Sequence, residues 1–494
     1  MNTRDEWTRF ASTLTVPSAM WLDGQWFDDP DGPRQDLVSP RTGRTAAQVP
    51  QATPAVVDRA VAGARTAFRD GRWSRIGARE RGAVLLRWAD LIGEHRDELA
   101  ALVTLEMGKP VVQARDVELR ATEATFRWYG ELADKVLDEA PRGLTDALAL
   151  ISREPIGVVA AITPDNFPLT LSSWKIAPAL LAGNSIVVKP ATQSPLSLLR
   201  LAELGTAAGL PDGVLQVVTG AGGVAGSALA RHLDVDCLTF TGSPEVGKRL
   251  LVCSGESNAK PVHLELGGKS PQLIFTDAPD PAAAARTVAW AITFNAGQMC
   301  TAGSRLLVQE EIAEQFVADV LAEIERTPVG DPFDPMTRIG PIASERRRAD
   351  ILAHARTAVA QGATPVSGSL EAGAGDGWYL DPIVCTNVRP EHDLFRHEVF
   401  GPVLAVTRFT DADEAIRLAN DSPFGLGAGL WTSNLSRAHR LSRAIDAGLV
   451  WVNCYEEGDL SVPFGGRKLS GHSVDKSIHA LDKFTSTKTT WIRL

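Results

Sequence analysis

IGVVAAITPDNFPLTLSSWKIAPALLAGNSIVVKPA, residues 156–191, decides the fold class. A short β-branched run, a helical stretch and a second β-branched run follow one another without a tight hairpin signal. That order reads as a βαβ unit with parallel strands. Working forward, SLLRLAELGTAAG (197–209) is helical, GVLQVVTG (213–220) is a strand, and a helical segment runs to His232. DCLTFTGS (236–243), a helix to Leu251, and PVHLELGG (261–268) continue the alternation, which predicts a doubly wound parallel sheet. Ligands on such sheets bind outside the carboxyl ends of the strands. Three of those ends carry polar and turn-forming residues: ITPDNFP (162–168), KPATQSP (189–195) and FTGSPEVG (240–247).

Working outward, residues 54–135 read as amphipathic helices, among them VVDRAVAGARTAF (56–68) and RGAVLLRWADLIGEH (81–95), suited to covering one sheet face. A second α/β pattern starts near Lys269 and runs to about Ser461, with strands PQLIF, SRLLVQ, VLAVTRF and LVWVN. The segment 136–155 holds two strand-like pieces, and the C-terminal DKFTSTKTTWIRL ends in an alternating strand. Two peripheral strands with free edges suggest an arm that pairs with another subunit. The expected division is a cofactor-binding domain (1–135 and 156–267), a second domain (268–461) and an oligomerisation arm (136–155 and 476–494).

Composition excludes several classes of function. With 494 residues and 44% hydrophobic content, the chain has material for more than one core. A formal net charge of −10 and the lack of any Lys/Arg cluster argue against nucleic acid or an anionic membrane as partner. Apolar runs stop well short of the ~20 residues of a membrane span. Asp5, Glu6 and Arg9 interrupt the N-terminus where a secretory signal needs an apolar stretch, so cytoplasm is the expected compartment. Five cysteines (237, 253, 300, 385, 454) show no metal or redox spacing, so neither a disulfide framework nor a structural metal is expected.

One of these thiols differs from core filler. Cys300 lies in FNAGQMCTAGSR (294–305), among small and polar residues that show no apolar periodicity. A thiol that attacks a carbonyl needs a general base and an oxyanion donor as well as access. Glu265, at a strand end before Gly267 and Gly268, supplies a carboxylate among apolar neighbours, where its pKa would rise. Asn166 supplies an amide. Each residue alone also reads as structural: a solvated strand-end charge, and a turn former before Pro168. GAGGVA (220–225) matches G-x-G-x-x-A after a strand, a weak dinucleotide signal. Ser243 opens a helix whose free N–H groups suit a pyrophosphate, or serves as an ordinary N-cap.

Taken together, seven stretches in order resemble the aldehyde dehydrogenase superfamily: ITPDNFP, WKIAPALLAGNSIVVKPA, FTGSPEVGKRL, LELGGKSP, FNAGQMCTAGSR, HEVFGPVLAV and PFGGRKLSG. The resemblance covers the chain from about residue 20 to its end. It implies a Rossmann-like cofactor domain, an α/β catalytic domain and a small β oligomerisation arm, in a homodimer or homotetramer. It implies oxidation of an aldehyde to an acid with NAD or NADP. Cys300 would be the nucleophile and Glu265 the base. Asn166 and the Cys300 N–H would form the oxyanion hole, and Lys175 would be a proton-relay lysine. For the cofactor it implies Ile162, Thr163, Pro164, Lys189, Thr192, Gly222, Gly226, Ser243, Val246 and Leu266, with Glu398 and Phe400 on the nicotinamide side.

Two departures bear on specificity. The family's usual Trp before the oxyanion Asn is Asp165 here, and a glutamate that commonly holds the adenosine ribose is Thr192. Without that carboxylate a 2′-phosphate meets less repulsion, so NADP is expected to be tolerated. The C-terminal third, GDLSVPFGG and DKSIHALDKFTSTKTTWI, looks closest to γ-glutamyl-γ-aminobutyraldehyde dehydrogenases, which points to a polar ω-amino or semialdehyde. Asp165 and, in the loop CYEEGDL, Glu456, Glu457 and Asp459 are the expected acidic residues of the substrate tunnel, although Arg120 and Ala121 stand where aminoaldehyde enzymes carry paired aspartates. Two other readings stay open: a coenzyme A-acylating semialdehyde dehydrogenase, against which Glu265 speaks, and an inactive cofactor-binding protein on the same scaffold.

Overall fold

The computed structural model describes residues 1–373 and 375–494. Two seven-stranded sheets organise it. The first has the order Val262–Leu266, Cys237–Gly242, Val158–Ile162, Ser185–Lys189, Leu215–Val217, then the hairpin Met20–Leu22 and Gln25–Phe27. Its first five strands are parallel, and the hairpin joins antiparallel. Strands as uniformly apolar as VVAAI need cover on both faces, and they have it. Val158 and Ala160 pack with Val57, Ala60 and Val61 of the helix Pro54–Asp70. The alternate residues Val159 and Ala161 pack with Ile176, Leu180, Leu198 and Leu201 from the helices Thr170–Leu181 and Leu196–Ala207.

The second sheet runs Thr364–Ser367, Ile383–Thr386, Val403–Phe409, Arg305–Gln309, Pro271–Ile274, Gly427–Trp431, Leu449–Val452, parallel apart from its first strand. The same alternation holds here. Leu273, Leu307 and Ala405 face Ile351, Leu352 and Ala355 of the helix Glu345–Ala360, while Ile274, Leu306 and Leu404 face the helices Pro281–Thr293 and Ala313–Glu325.

Outside both sheets, Ala147–Pro155 pairs antiparallel with Thr485–Arg493. Leu148, Leu150, Trp491 and Ile492 of this ribbon are exposed. Segment 136–155 therefore contributes one strand where the sequence suggested two, the upstream piece reduced to a single bridge between Glu139 and Ile151. Just before the C-terminal strand, Ala480, Leu481 and Phe484 are buried, so the part of 476–494 nearest Ser477 belongs to the body of the molecule. Among the described residues, no helix is long and apolar enough to cross a membrane.

Candidate active site

A cavity of about 440 Å³ opens where the carboxyl ends of the first sheet face the second half of the chain. Pro164, Asp165 and Asn166 follow one strand, Thr241 to Ser243 end another, and Leu266 and Gly267 end a third. Cys300, Arg347, Glu398 and Phe400 close the cavity from the other side.

Two glycines make this approach possible. A Cβ on Gly267 would lie 1.8 Å from Glu398 Oε2, and one on Gly268 would lie 2.5 Å from the Cys300 carbonyl oxygen. Gly268 N also donates to Glu398 Oε1 at 3.1 Å, so the turn after Glu265 orients Glu398 as well as admitting it. Burial lifts the Glu398 carboxyl to about 7.

The loop before the nucleophile is held in an uncommon conformation. Asn295, Ala296 and Gly297 all have positive φ (51°, 54° and 67°). Side chains fix them there: Asn295 Nδ2 donates to the carbonyls of Asn166 (3.0 Å) and Gln298 (3.1 Å), and Gln298 Nε2 donates to Asn295 O (3.2 Å). Asn166 Nδ2 donates to Gln298 O at 2.9 Å, so the amide and the Cys300 loop are tied together. Beneath them lies a fully buried ion pair, Lys109 with Glu118. Lys109 Nζ donates to Asn166 O at 2.9 Å, and Glu118 Oε1 accepts from Leu169 N at 2.9 Å. Burial of Lys109 and Glu118 without these partners would cost several kcal/mol, so the pair fixes the Asn166 turn firmly.

Cys300 is half-buried, and burial pushes its thiol up, with the carboxylates of Glu456, Glu398 and Glu265 acting in the same direction. Both effects favour the thiol over the thiolate. Glu265 is buried and neither of its carboxylate oxygens has a partner. Burial, with Asp475 adding to it, raises its pKa well above the usual carboxylate range. The loop PFGGRKLSG covers it: Leu266 N donates to Ser470 O at 2.9 Å, and Gly471, at φ 113°, sits where a Cβ would be 2.1 Å from Leu264 O. Lys175 pairs with Asp475 at 3.0 Å, and Lys483 holds the other carboxylate oxygen. Despite burial, these two ammoniums keep Asp475 below its ordinary value.

The residues expected to hold a dinucleotide lie toward the first sheet from this cavity. Lys189 Nζ is buried and, among the described residues, donates to the carbonyls of Pro190 (2.6 Å) and Gly220 (3.3 Å) and to no carboxylate, and burial lowers it to about 8. Thr192 Oγ1 reaches Gly220 O at 3.5 Å, and Thr163 N donates to Lys189 O at 3.1 Å. Ile162, Lys189 and Gly226 meet, since a Cβ on Gly226 would be 3.7 Å from each of the other two. Nothing lies within 4 Å of a Cβ on Gly222, which opens a π-helical turn over Gly222–Gly226. Ser243 caps the helix Pro244–Gly255, accepting from Val246 N at 3.4 Å, and both residues are exposed. An exposed helix N-terminus and a buried ammonium without an anion suit a pyrophosphate and its ribose.

The expected tunnel acids divide between the cavity and the surface. Glu457 is exposed, and its carbonyl accepts from Trp451 Nε1 at 2.7 Å. Asp459 is exposed and caps Ser461 N at 2.8 Å. Neither lines the cavity. A positive φ of 60° at Glu456 turns that residue inward instead, with Oε1 buried and unpartnered. Asp165 does line the cavity, but it is buried against Arg347 at 3.0 Å rather than open to a substrate. Arg120 is exposed. Sequence reasoning passed over Asp475, Lys483, Lys109, Glu118, Gln298 and Arg347.

Residues 26–490 match the aldehyde dehydrogenase family. The NADP/NAD-dependent aldehyde dehydrogenase PuuC of Escherichia coli is 44% identical over 488 residues, covering 99% of this chain and 98% of the relative. The crystal structure of a γ-glutamyl-γ-aminobutyraldehyde dehydrogenase from Burkholderia cenocepacia is 45% identical and superposes with a TM-score of 0.97 over 100% of both chains. The indole-3-acetaldehyde dehydrogenase AldA of P. syringae, solved with NAD+ and IAA, is 44% identical with a TM-score of 0.98, again over 100% of both. The fold, the order of the motifs and these likenesses agree: the chain belongs to the aldehyde dehydrogenase family.

Proposed function

We propose that the protein oxidises an aldehyde to a carboxylic acid with NAD or NADP as hydride acceptor, Cys300 being the nucleophile. The observation that carries this reading is the convergence of Cys300, Asn166, Glu398 and Phe400 on one cavity, with the buried, unpartnered Glu265 close to the thiol. The thiol gives its proton to solvent water reaching the cavity, and the thiolate attacks the carbonyl carbon. The hemithioacetal oxyanion takes the Asn166 amide and the Cys300 N–H as donors. A nicotinamide held on the side of Glu398 and Phe400 would supply the hydride acceptor. The remaining thioester needs water activated by a base, and Glu265 is the unpartnered carboxylate at hand. Lys175, beside Asp475, offers a route for the released proton. Glu265 also favours hydrolysis over transfer of the acyl group to coenzyme A.

For the substrate, the relative named for γ-glutamyl-γ-aminobutyraldehyde supports a polar aldehyde, while one of like identity is named for indole-3-acetaldehyde, so the site itself must favour one of them. The inward-turned carboxylate of Glu456 supports a cationic end over an apolar one. Thr192 in place of a carboxylate favours use of NADP beside NAD. The division into cofactor domain, catalytic domain and arm follows the two sheets and the peripheral ribbon, whose exposed Leu148, Leu150, Trp491 and Ile492 suit a homodimer or homotetramer in the cytoplasm. Reduction of NAD and NADP, followed by absorbance with a panel of aldehydes with and without coenzyme A, tests the whole. A Cys300→Ala protein that reduces its dinucleotide at the parental rate would refute it.

A further inference from the structure

Asp165 and Arg347 form an ion pair that no other feature of the site requires. Asp165 follows a strand of the first sheet, and Arg347 lies in the first turn of the helix Glu345–Ala360 from the other half of the chain. Arg347 Nη1 is 3.0 Å from Asp165 Oδ2, and its Nη2 donates to Oδ1 at 3.2 Å. Nη1 also donates to Gln298 Oε1 at 3.2 Å, an oxygen that accepts from Ala343 N at 3.0 Å as well. Gln298 O accepts in turn from Asn166 Nδ2 at 2.9 Å, and Asn166 is the residue after Asp165. The hydrogen bonds close into a ring: Asp165, Arg347, Gln298, Asn166. The guanidinium carbon lies 5.0 Å from the centre of the Phe400 ring.

We infer that Arg347 is a positioning residue for the reaction: it neutralises Asp165 beside the oxyanion donor and ties the Asn166 turn to the loop carrying Cys300. The inference rests on the reading of Cys300 as nucleophile. The physical argument is one of sign. Cys300 already faces the carboxylates of Glu456, Glu398 and Glu265, all of which oppose a thiolate, while Lys269 stands beside Glu398 and Lys109 near Asp165. Asp165 lines the same cavity as Cys300, so a fourth unpaired carboxylate would oppose both the thiolate and the oxyanion. Paired with Arg347, it adds rigidity without that charge. Geometry does the rest: an amide held on Gln298 O, two residues from Cys300, can reach the developing oxyanion with little rearrangement.

The test follows the alkylation of Cys300 by iodoacetamide against pH in the full-length protein, read on its peptide by mass spectrometry, beside kcat. Arg347→Gln should raise the alkylation midpoint by about one pH unit and lower kcat roughly 10- to 100-fold. Asp165→Asn should move the midpoint downward. The double variant should return it toward the parent and recover most of kcat. A midpoint unmoved in both single variants overturns the inference, as does a double variant no better than Arg347→Gln. Should Arg347→Gln fail to fold, Asp165→Asn decides alone, and a midpoint unmoved or raised counts against. Alkylation does not require Cys300 to be the nucleophile, so loss of that reading would show separately, as an active Cys300→Ala protein.

Discussion

Lys175 Nζ lies 3.0 Å from Asp475 Oδ2 where neither side chain reaches solvent, and Lys483 Nζ takes the second oxygen of the same carboxylate. One buried anion thus serves two buried cations, next to a Glu265 with no partner at all. Removing the anion should be severe, because both ammoniums lose their counter-charge together. Asp475→Asn is expected to destabilise the fold by about 3–5 kcal/mol, read as a lower midpoint in urea at unchanged slope. Its unneutralised ammoniums should also pull Glu265 downward and so weaken it as a base. A variant as stable as the parent would show that the clamp is not ionic in the folded state.

Glu265→Gln separates the two halves of the reaction. Its carboxylate is needed for thioester hydrolysis and not for thiol attack, so the variant should release a stoichiometric burst of reduced dinucleotide and then turn over roughly 10²–10⁴-fold more slowly. Rapid mixing with excess aldehyde measures both phases. Steady turnover at the parental rate, without a burst, would assign the water-activating role to another group.

Much of this was legible in the chain, for identifiable reasons. Strands buried on both faces spell themselves out as VVAAI and SIVVK, and Gly267 and Gly268 announce a close approach. The hairpin at 20–27 was legible too: Asp23 and Gly24 both take positive φ (53° and 76°), the two-residue turn that an Asp-Gly pair favours, yet the flanking strands are three residues each and easily missed. The pairings of Asp165 with Arg347 and Lys109 with Glu118 were not legible. Each depends on which side chains a long-range crossing brings together, and the first spans 182 positions of sequence. Glu456, Glu457 and Asp459 read alike as one acidic loop, and which of them turns inward is a matter of one backbone angle, which no periodicity encodes in a loop.

Thr192 tests the cofactor reading. Its hydroxyl reaches Gly220 O at 3.5 Å beside the buried ammonium of Lys189, leaving no anion to face a 2′-phosphate. Thr192→Glu should shift the ratio of kcat/KM for NAD over NADP upward by about 10- to 100-fold, the size expected from about 1–3 kcal/mol of added charge repulsion in a partly screened site. Initial rates with both cofactors at one ionic strength decide it. A ratio unchanged by the substitution would remove Thr192 from the specificity argument.

Glu398 gives a pH signature. Burial raises its carboxyl to about 7, opposed by the Gly268 N–H and by Lys269. A carboxylate that accepts from ribose hydroxyls binds them in its ionised form, so dinucleotide affinity should strengthen as pH rises through 7 and level off above it. The stability effect has the opposite sign. An unfolded glutamate ionises near pH 4.5 while the folded one stays neutral to about 7. This group's contribution is therefore fully present below pH 4.5 and is lost as pH climbs through 7. Glu398→Gln should abolish the rise in affinity and flatten the decline in stability over the same window. Fluorescence titration of NAD between pH 5.5 and 8.5 measures the first, and urea unfolding at the same pH values measures the second. Parallel curves for parent and variant in both experiments would mean that the carboxyl is already ionised at the acid end and that Glu398 does not govern either pH dependence.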